Sequence, residues 1–341
     1  MHRERVIELS GLWSLVQRLH LQQVNPIVQM TILAVIGVGL VAWAVLGLNR
    51  SVLSAFRRSS HTEVADVVYR HRQRRRGPKV VAIGGGHGLN TLLRGLKEYT
   101  DNITAVVTVA DDGGSSGRLR RDLGMLPPGD FRNCMAALSD DEGLLSQLFQ
   151  YRFGSDTDLD GHSFGNLYLT AMTAITGSFE GALEESGKVL TMRGRVMPST
   201  LAQVVLSAEV LAADGSAPAD RVTIVRGESN IGATGGRIQR VYLEPENPPA
   251  YPGAIRAILD ADLIVIGPGS LYTSVLPNLL VPDLAQAIAG AQAVKVYVCN
   301  VATQAGETAG YSLTDHVSAL RDHIGRELFS TVLANDTFTG N

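Results

Sequence analysis

Cysteine is nearly absent, with Cys134 and Cys299 the only two in 341 residues. They lie far apart, each inside an apolar stretch, with no second ligand at metal-site spacing. A disulfide framework and a cysteine-held metal are thereby excluded, and both read as buried thiols in a reducing compartment. Net charge is also scarce, since 30 Lys and Arg against 33 Asp and Glu leave −3. So small a balance gives no global pull toward nucleic acid or acidic surfaces. No segment repeats at a fixed period, which excludes a solenoid. No Gly-Lys-Ser/Thr ends a glycine run, which excludes a P-loop.

Long apolar runs, by contrast, are present. Mean hydropathy is +0.10, and the excess is concentrated in Ile27–Leu48, IVQMTILAVIGVGLVAWAVLGL, which carries no charge. At helical rise this stretch extends ~33 Å, enough for a ~30 Å hydrocarbon core. It is too long and wrongly flanked for a signal peptide. Residues 50–76 then hold eight Arg against only Glu63 and Asp66, while Arg3, Arg5 and Arg18 precede the span. That bias predicts a single-pass helix in the inner (plasma) membrane, with the main domain in the cytoplasm. The expected order is a membrane segment over 1–49, its transmembrane helix at 27–48, and a basic linker over 50–78 that contacts anionic lipid. A ligand-binding domain over 79–341 follows. Within residues 1–25, Val6, Leu9, Trp13, Val16 and Leu19 recur at helical spacing. No run of stacking aromatics is interleaved with the Arg groups, so nucleic acid is not an expected partner.

From Lys79 onward the pattern is strand, glycine turn, helix. VVAI precedes NTLLRGLKEY, and ITAVVTV precedes an aspartate turn. FRNCMAALSD, EGLLSQLFQYRF, LYLTAMTAIT and FEGALEESGKVL read as helices. Over residues 193–250, shorter alternating runs such as RVTIVRGE and GRIQRVYLE predict a small antiparallel insert. The first pattern returns with DLIVIGPGS, PDLAQAIAGA and VKVYVCNVATQ. Short, fully apolar strands alternating with helices predict an α/β fold with a mostly parallel sheet covered on both faces.

Several segments carry chemistry. GGGHGLNTL ends the first strand, and Leu89 stands where the third glycine of a dinucleotide fingerprint belongs. Gly84, Gly85, Gly86 and Gly88 still let backbone approach a ligand, and the helix starting near Asn90 aims its dipole at an anion. Asp111 and Asp112 close the second strand, followed by Gly113, Gly114, Ser115, Ser116 and Arg118. Two adjacent carboxylates exceed what a ribose needs and suit a Mg²⁺ that bridges diphosphate oxygens, although a solvated Asp-Gly turn uses the same residues. In LPPGDFRNC, Asp130 is the expected N-cap of a helix whose first turn holds Arg132 and Asn133. GHSFGN sets His162, Ser163 and Asn166 before another helix. A third loop, Gly267-Pro268-Gly269-Ser270, follows an apolar strand and leads into Leu271, Tyr272, Thr273, Ser274 and Asn278. Asn300, Thr303 and Gln304 end the next strand, at the edge where such sheets bind ligands.

Taken in order, GGGHGL, TVADDGGSSGRLR, LPPGDFRNC, GHSFGN, RGR, GPGSLYTS, LPNLLV and CNVATQ resemble the gluconeogenesis factor (YvcK) family. That family lies within the CofD-like superfamily, whose founding enzyme is 2-phospho-L-lactate transferase. The likeness covers Lys79 to Asn335. It implies a Rossmann-like core that binds a nucleotide-sugar, with UDP-N-acetylglucosamine the leading ligand. Its contacts would come from Gly84, Gly85, Gly86, Gly88 and Asn90, from Asp111 through Ser116 with Arg118, and from Asn133, His162 and Asn166. Gly267, Gly269, Ser270, Leu271, Tyr272, Ser274 and Asn300 complete them. The resemblance also implies a role in cell shape and cell-wall metabolism during gluconeogenic growth, and the N-terminal anchor looks like that of a subset of the family. His87 stands where the family has Thr, Ala305 where Pro is common, and family members usually continue beyond VLANDTFTGN. The expected action is regulatory, through a cell-wall enzyme or its regulator, and a homodimer is compatible with it. The alternative is a Mg²⁺-dependent transferase using a nucleotide diphosphate donor, with Asp111 and Asp112 on the metal. An NAD-dependent dehydrogenase is disfavoured by the glycine spacing.

Overall fold

The computed structural model describes residues 26–55, 72–140, 143–154, 158–211 and 222–336. The helical spacing within residues 1–25 and most of the basic linker lie outside them. The chain separates into two units, residues 1–70 and 71–341. In the first, helix α1 spans Pro26–Ala55. Among the described residues no helix is long and apolar enough to cross a membrane. The expected transmembrane helix, and with it the single-pass plasma-membrane location, is corrected accordingly.

In the second unit, β1 (Val80–Gly84) and β2 (Ile103–Val107) are buried at every position, as uninterrupted apolar runs require. Helix α2 (Gly86–Leu96) joins them and buries Leu89 and Leu93, four residues apart on one helical face. Five helices follow β2: α3 (Gly114–Leu123), α4 (Gly129–Leu138), α5 (Leu144–Gln150), α6 (Phe164–Thr176) and α7 (Phe179–Val189). The Ser163 and Ser178 side chains cap α6 and α7 by accepting the N–H groups of Asn166 and Gly181. Phe131 of α4 meets Phe179 of α7 edge-on, with ring centroids 4.9 Å apart, which ties the second and last of these helices together.

Strand β3 (Arg195–Pro198) pairs parallel with β2. The sequence pattern assigns these residues to the antiparallel insert, but a four-residue strand is too short to reveal its partner. The insert proper is β4 (Val205–Leu211), β5 (Val222–Arg226) and β6 (Arg237–Glu244), antiparallel in the order β5-β4-β6. One helical turn, α8 (Glu228–Ile231), lies between β5 and β6. Then come α9 (Pro252–Leu259), β7 (Leu263–Ile266), a π-helical turn over Leu271–Val275 that runs into α10 (Leu276–Leu279), and α11 (Pro282–Gly290). Strand β8 (Val294–Val298), α12 (Leu313–Ile324) and β9 (Thr331–Leu333) complete the described chain.

The main sheet has six parallel strands in the order β3-β2-β1-β7-β8-β9. The chain leaves β1 toward β2 on one side, and β7 lies against β1 on the other. The loops after β1 and β7 therefore diverge at a topological switch point, where open α/β sheets form their ligand crevice.

Candidate functional site at the sheet switch point

Gly85 is extended (φ −176°) at the end of β1, and Gly86 turns the chain into α2 with φ +62°. The next glycine meets the other loop. A Cβ on Gly88 would fall 2.8 Å from the carbonyl of Pro268 and 2.9 Å from the nitrogen of Gly269. No side chain fits there, so Gly88 is required by a close approach of two backbones. The third loop is fixed from behind. The Gly269 N–H donates to Asn300 Oδ1 at 3.0 Å, and Asn300 Nδ2 donates to the Gly269 carbonyl at 2.8 Å. Asn278 Nδ2 reaches both the Gly84 carbonyl (3.0 Å) and the Ser274 carbonyl (2.8 Å). The first and third glycine loops thus form one continuous rim.

Between them opens a cavity of about 420 Å³. Gly86, His87 and Gly88 form one wall, and Gly269, Ser270, Thr273 and Ser274 form the facing one. Ser270 Oγ donates to Gln304 Oε1 (2.7 Å), Gln304 Nε2 donates to Glu307 (3.1 Å), and Thr273 Oγ1 donates to the same carboxylate (2.8 Å). Glu307 is buried, so this chain of bonds holds the wall in place from the protein side. Two roomier grooves exist, about 710 Å³ beside β3 and about 600 Å³ between β6 and α12. Neither meets a glycine loop at the carboxyl edge of the sheet.

The remaining wall is acidic, with Asp111, Asp130 and Glu228 facing the cavity beside Thr108. Burial pushes Asp130 up to about 6 against the usual 3.8, with the Asp111 charge adding to the rise, even though Oδ2 accepts the Gly86 N–H at 2.8 Å. Burial raises Glu228 to about 8, and the charges of Asp111 and Asp130 add to it. Asp111 is also held above its ordinary value by burial, opposed by the Gly113 N–H at 2.9 Å and by Ser116. Three carboxyls around one cavity resist ionising together. They suit a ligand that brings hydroxyls or a cation.

Asp112 behaves differently from its neighbour. Its Oδ1 accepts the Ser229 N–H at 2.9 Å, at the first turn of α8. The adjacent aspartates diverge, one into the cavity and the other onto the insert, so they do not form the expected metal pair. Among the described residues no group of three or more His, Cys, Asp or Glu is placed to hold a metal. A Mg²⁺ arriving with phosphates needs only one or two carboxylates, and Asp111 with Asp130 fit that need better than Asp111 with Asp112. Asp130 is not the N-cap of α4. The cap position is Pro128, and Asp130 lies inside the first turn with its carboxylate on Gly86.

Of the residues expected from the sequence, Gly86, Gly88, Asp111, Gly269, Ser270, Ser274 and Asn300 line the cavity, as do Thr273 and Gln304. Gly84, Gly85 and Gly267 shape its rim without lining it. Gly113 and Gly114 start α3, and Ser116 Oγ accepts the Gly129 N–H at 3.0 Å. Asn90 accepts from the Cys134 thiol at 3.3 Å. Leu271 is in the hydrophobic core, and Tyr272 turns away to bond Tyr311 through their hydroxyls at 2.8 Å. Ser115, Arg118, Asn133, His162 and Asn166 gather in a separate cluster. There Ser115 Oγ lies 3.0 Å from both His162 Nδ1 and Asn166 Nδ2.

Sequence reasoning missed the site roles of Thr108, Asp130 and Glu228. Asp130 carried a visible capping signal that masked its part in the cavity, and Glu228 sits in RGESNIG, a segment with no glycine-loop or strand-end signature. Arg120 was also missed. It donates to the backbone carbonyls of Val109, Asp111 and Val204, and thereby braces the aspartate turn from below.

Comparison with known proteins agrees with this geometry. A family model described as 2-phospho-L-lactate transferase CofD matches residues 80–340. The putative gluconeogenesis factor of Nostoc sp. (strain PCC 7120) is 55% identical over 300 residues, covering 88% of this chain and 64% of its own length. The chain thus spans less than two thirds of that relative. The gluconeogenesis factor of Bacillus subtilis is 55% identical over 258 residues, 76% of this chain and 78% of its own. A crystal structure of a UPF0052 family protein from Bacillus halodurans superposes with a TM-score of 0.72 at 50% identity, covering 77% of this chain and 82% of that one.

Proposed function

The chain belongs to the CofD family and, within it, to the gluconeogenesis factors. From that premise we propose that it binds a nucleotide-sugar, UDP-N-acetylglucosamine or a close analogue, in the switch-point cavity. The observation that carries this reading is the contact of Gly88 with Pro268 and Gly269. Two glycine loops, each at the carboxyl end of a parallel strand, bring backbone to both sides of one crevice, an arrangement suited to a diphosphate. The acidic wall then serves the sugar. At neutral pH the Glu228 carboxyl, at about 8, keeps its proton and can donate to a sugar hydroxyl. Asp111 and Asp130 accept from hydroxyls, or hold a Mg²⁺ that offsets the diphosphate charge.

Occupancy of the cavity would regulate cell-wall metabolism and cell shape during gluconeogenic growth, through a cell-wall enzyme or its regulator. The latched insert is a route for that signal, because α8 carries Glu228 at the ligand and is bonded to Asp112 behind it. A thermal-shift screen of UDP-N-acetylglucosamine, UDP, GDP and NAD tests the reading. Stabilisation that rises with ligand concentration and is largest for the UDP-sugar is expected. No shift at millimolar UDP-sugar would remove it.

A second reading is a transferase of the 2-phospho-L-lactate type. It is favoured by one observation, that Asp130 and Glu228 hold protons close to neutral pH, as acid–base groups must. Product formation from a nucleotide-diphosphate donor, lost in Asp130→Asn with donor binding retained, would select this reading over the regulatory one.

A further inference from the structure

Three guanidinium groups that do not line the cavity form no ion pair among the described residues. Residues 151–153 and 161–164 run antiparallel, with the Phe153 N–H donating to the His162 carbonyl (3.0 Å) and the Phe164 N–H to the Tyr151 carbonyl (2.8 Å). This small ladder sets Arg152 beside the 160–165 turn, where its guanidinium donates to the Gly161 carbonyl at 3.0 Å. Arg118, from the first turns of α3, donates to the Asp160 carbonyl of the same turn. Arg132, from α4, packs its stem so tightly on Gly165 that a Cβ there would lie 2.7 Å from its Cδ. One six-residue turn therefore touches three arginines. Ser115 Oγ, His162 and Asn166 Nδ2 lie in the same cluster.

Charge makes the arrangement unusual. Arg132 is buried at 5% exposure, and its Nε has no hydrogen-bond partner. Its side chain bonds to a neutral group, Asn133 Oδ1, at 2.8 Å. Among the described residues none of the three arginines forms an ion pair. Desolvation followed by the neighbouring Arg152 charge lowers the Arg132 pKa to about 10. The charges of Asp130 and Asp111 oppose that fall, but neither carboxylate pairs with the guanidinium, and a buried guanidinium beside a second cation carries a cost that a bound anion would offset. The three heads are graded from buried (Arg132) through half-buried (Arg118) to exposed (Arg152), which leaves a path of entry from solvent.

We infer that Arg118, Arg132 and Arg152 form a phosphoryl-binding subsite around the 160–165 turn, next to the switch-point cavity and built from different residues. Planar guanidinium forks match tetrahedral phosphoryl oxygens two bonds at a time. The phosphoryl group can be the nucleotide's own or that of a separate phosphorylated small molecule. The subsite stands whether or not a nucleotide-sugar fills the cavity.

Calorimetric titration of the full chain with inorganic phosphate and with pyrophosphate, at fixed ionic strength and against a chloride control, tests it. Saturable binding is expected for wild type. Arg152→Gln changes an exposed residue and keeps the fold intact, and it should weaken that binding about tenfold, as loss of a charged hydrogen bond does. Arg118→Gln should do the same. Repeating the titration at saturating UDP separates the two sources. Loss of phosphate binding assigns the subsite to the nucleotide's own phosphates, and unchanged binding assigns it to a separate ligand. No saturable binding of either anion by wild type, or equal affinity in wild type and both variants, overturns the inference.

Discussion

Replacing Asp130 by Asn is predicted to stabilise the protein at neutral pH and to flatten its pH dependence. The carboxyl lies on the cavity wall, where burial, reinforced by the Asp111 charge, lifts it from 3.8 to about 6. An acid whose pKa is raised by folding holds its proton more tightly in the native state. Its contribution to stability is complete below the unfolded pKa and is lost as pH rises through the folded one. The full loss is about 3 kcal/mol, of which about 1.4 kcal/mol falls between pH 5 and pH 7.5. Asn keeps an oxygen for the Gly86 N–H, now 2.8 Å from Asp130 Oδ2, without the buried charge. Removing that charge also lets Glu228, raised in part by Asp130, ionise more readily, which shifts stability in the same direction. Urea unfolding at the two pH values measures the effect. The variant's advantage over wild type should be larger at pH 7.5 than at pH 5 by about 1.4 kcal/mol. An equal difference at both pH values would refute the assignment of a raised, cavity-facing carboxyl.

The other predictions concern the backbone contacts that shape the site. Gly88→Ala sets a methyl group 2.8 Å from the Pro268 carbonyl, so the two loops must part. About 1–3 kcal/mol of stability should be lost in thermal unfolding, together with nucleotide-sugar binding by calorimetry. Gly227 has φ +94° and lies against the Asp112 carboxylate. Gly227→Ala should release α8 and weaken ligand affinity at least as much as Glu228→Gln, and equal affinity to wild type would contradict the latch. Asn300→Ala removes both bonds to Gly269, at 3.0 and 2.8 Å. It should cost about 1–3 kcal/mol by urea unfolding and speed amide exchange at Gly269 and Ser270.

The parallel strands and glycine loops were legible because their signals are local. VVAIG and LIVI are uninterrupted apolar runs, and each ends in glycines that no helix or strand interior favours. That both loops meet was readable only from the likelihood that like loops share one sheet edge; the contact of Gly88 with Pro268 joins residues 180 positions apart. The π-helical turn over Leu271–Val275 explains why GPGSLYTS misled in part. Consecutive residues of a helix point different ways, so Ser274 and Thr273 face the cavity while Tyr272 faces Tyr311. Asp111 and Asp112 lie in the loop between β2, which ends at Val107, and α3, so no strand or helix period foretells that they diverge. Asp130 and Glu228 were beyond sequence reasoning. Their role depends on burial and on carboxyls from distant segments, and neither has a signature in a single sequence. The apolar run at 27–48 shows the converse, a strong composition signal although among the described residues no helix is long and apolar enough to cross a membrane.

The account rests on the two glycine loops gripping one ligand together, and hydrogen exchange with UDP-N-acetylglucosamine bound measures that directly. Protection is predicted to appear at the same ligand concentration in residues 85–89 and at Gly269 and Ser270, and to be absent in Gly88→Ala. Binding that protects only one loop, or protects residues elsewhere while both loops exchange freely, would contradict the shared cradle.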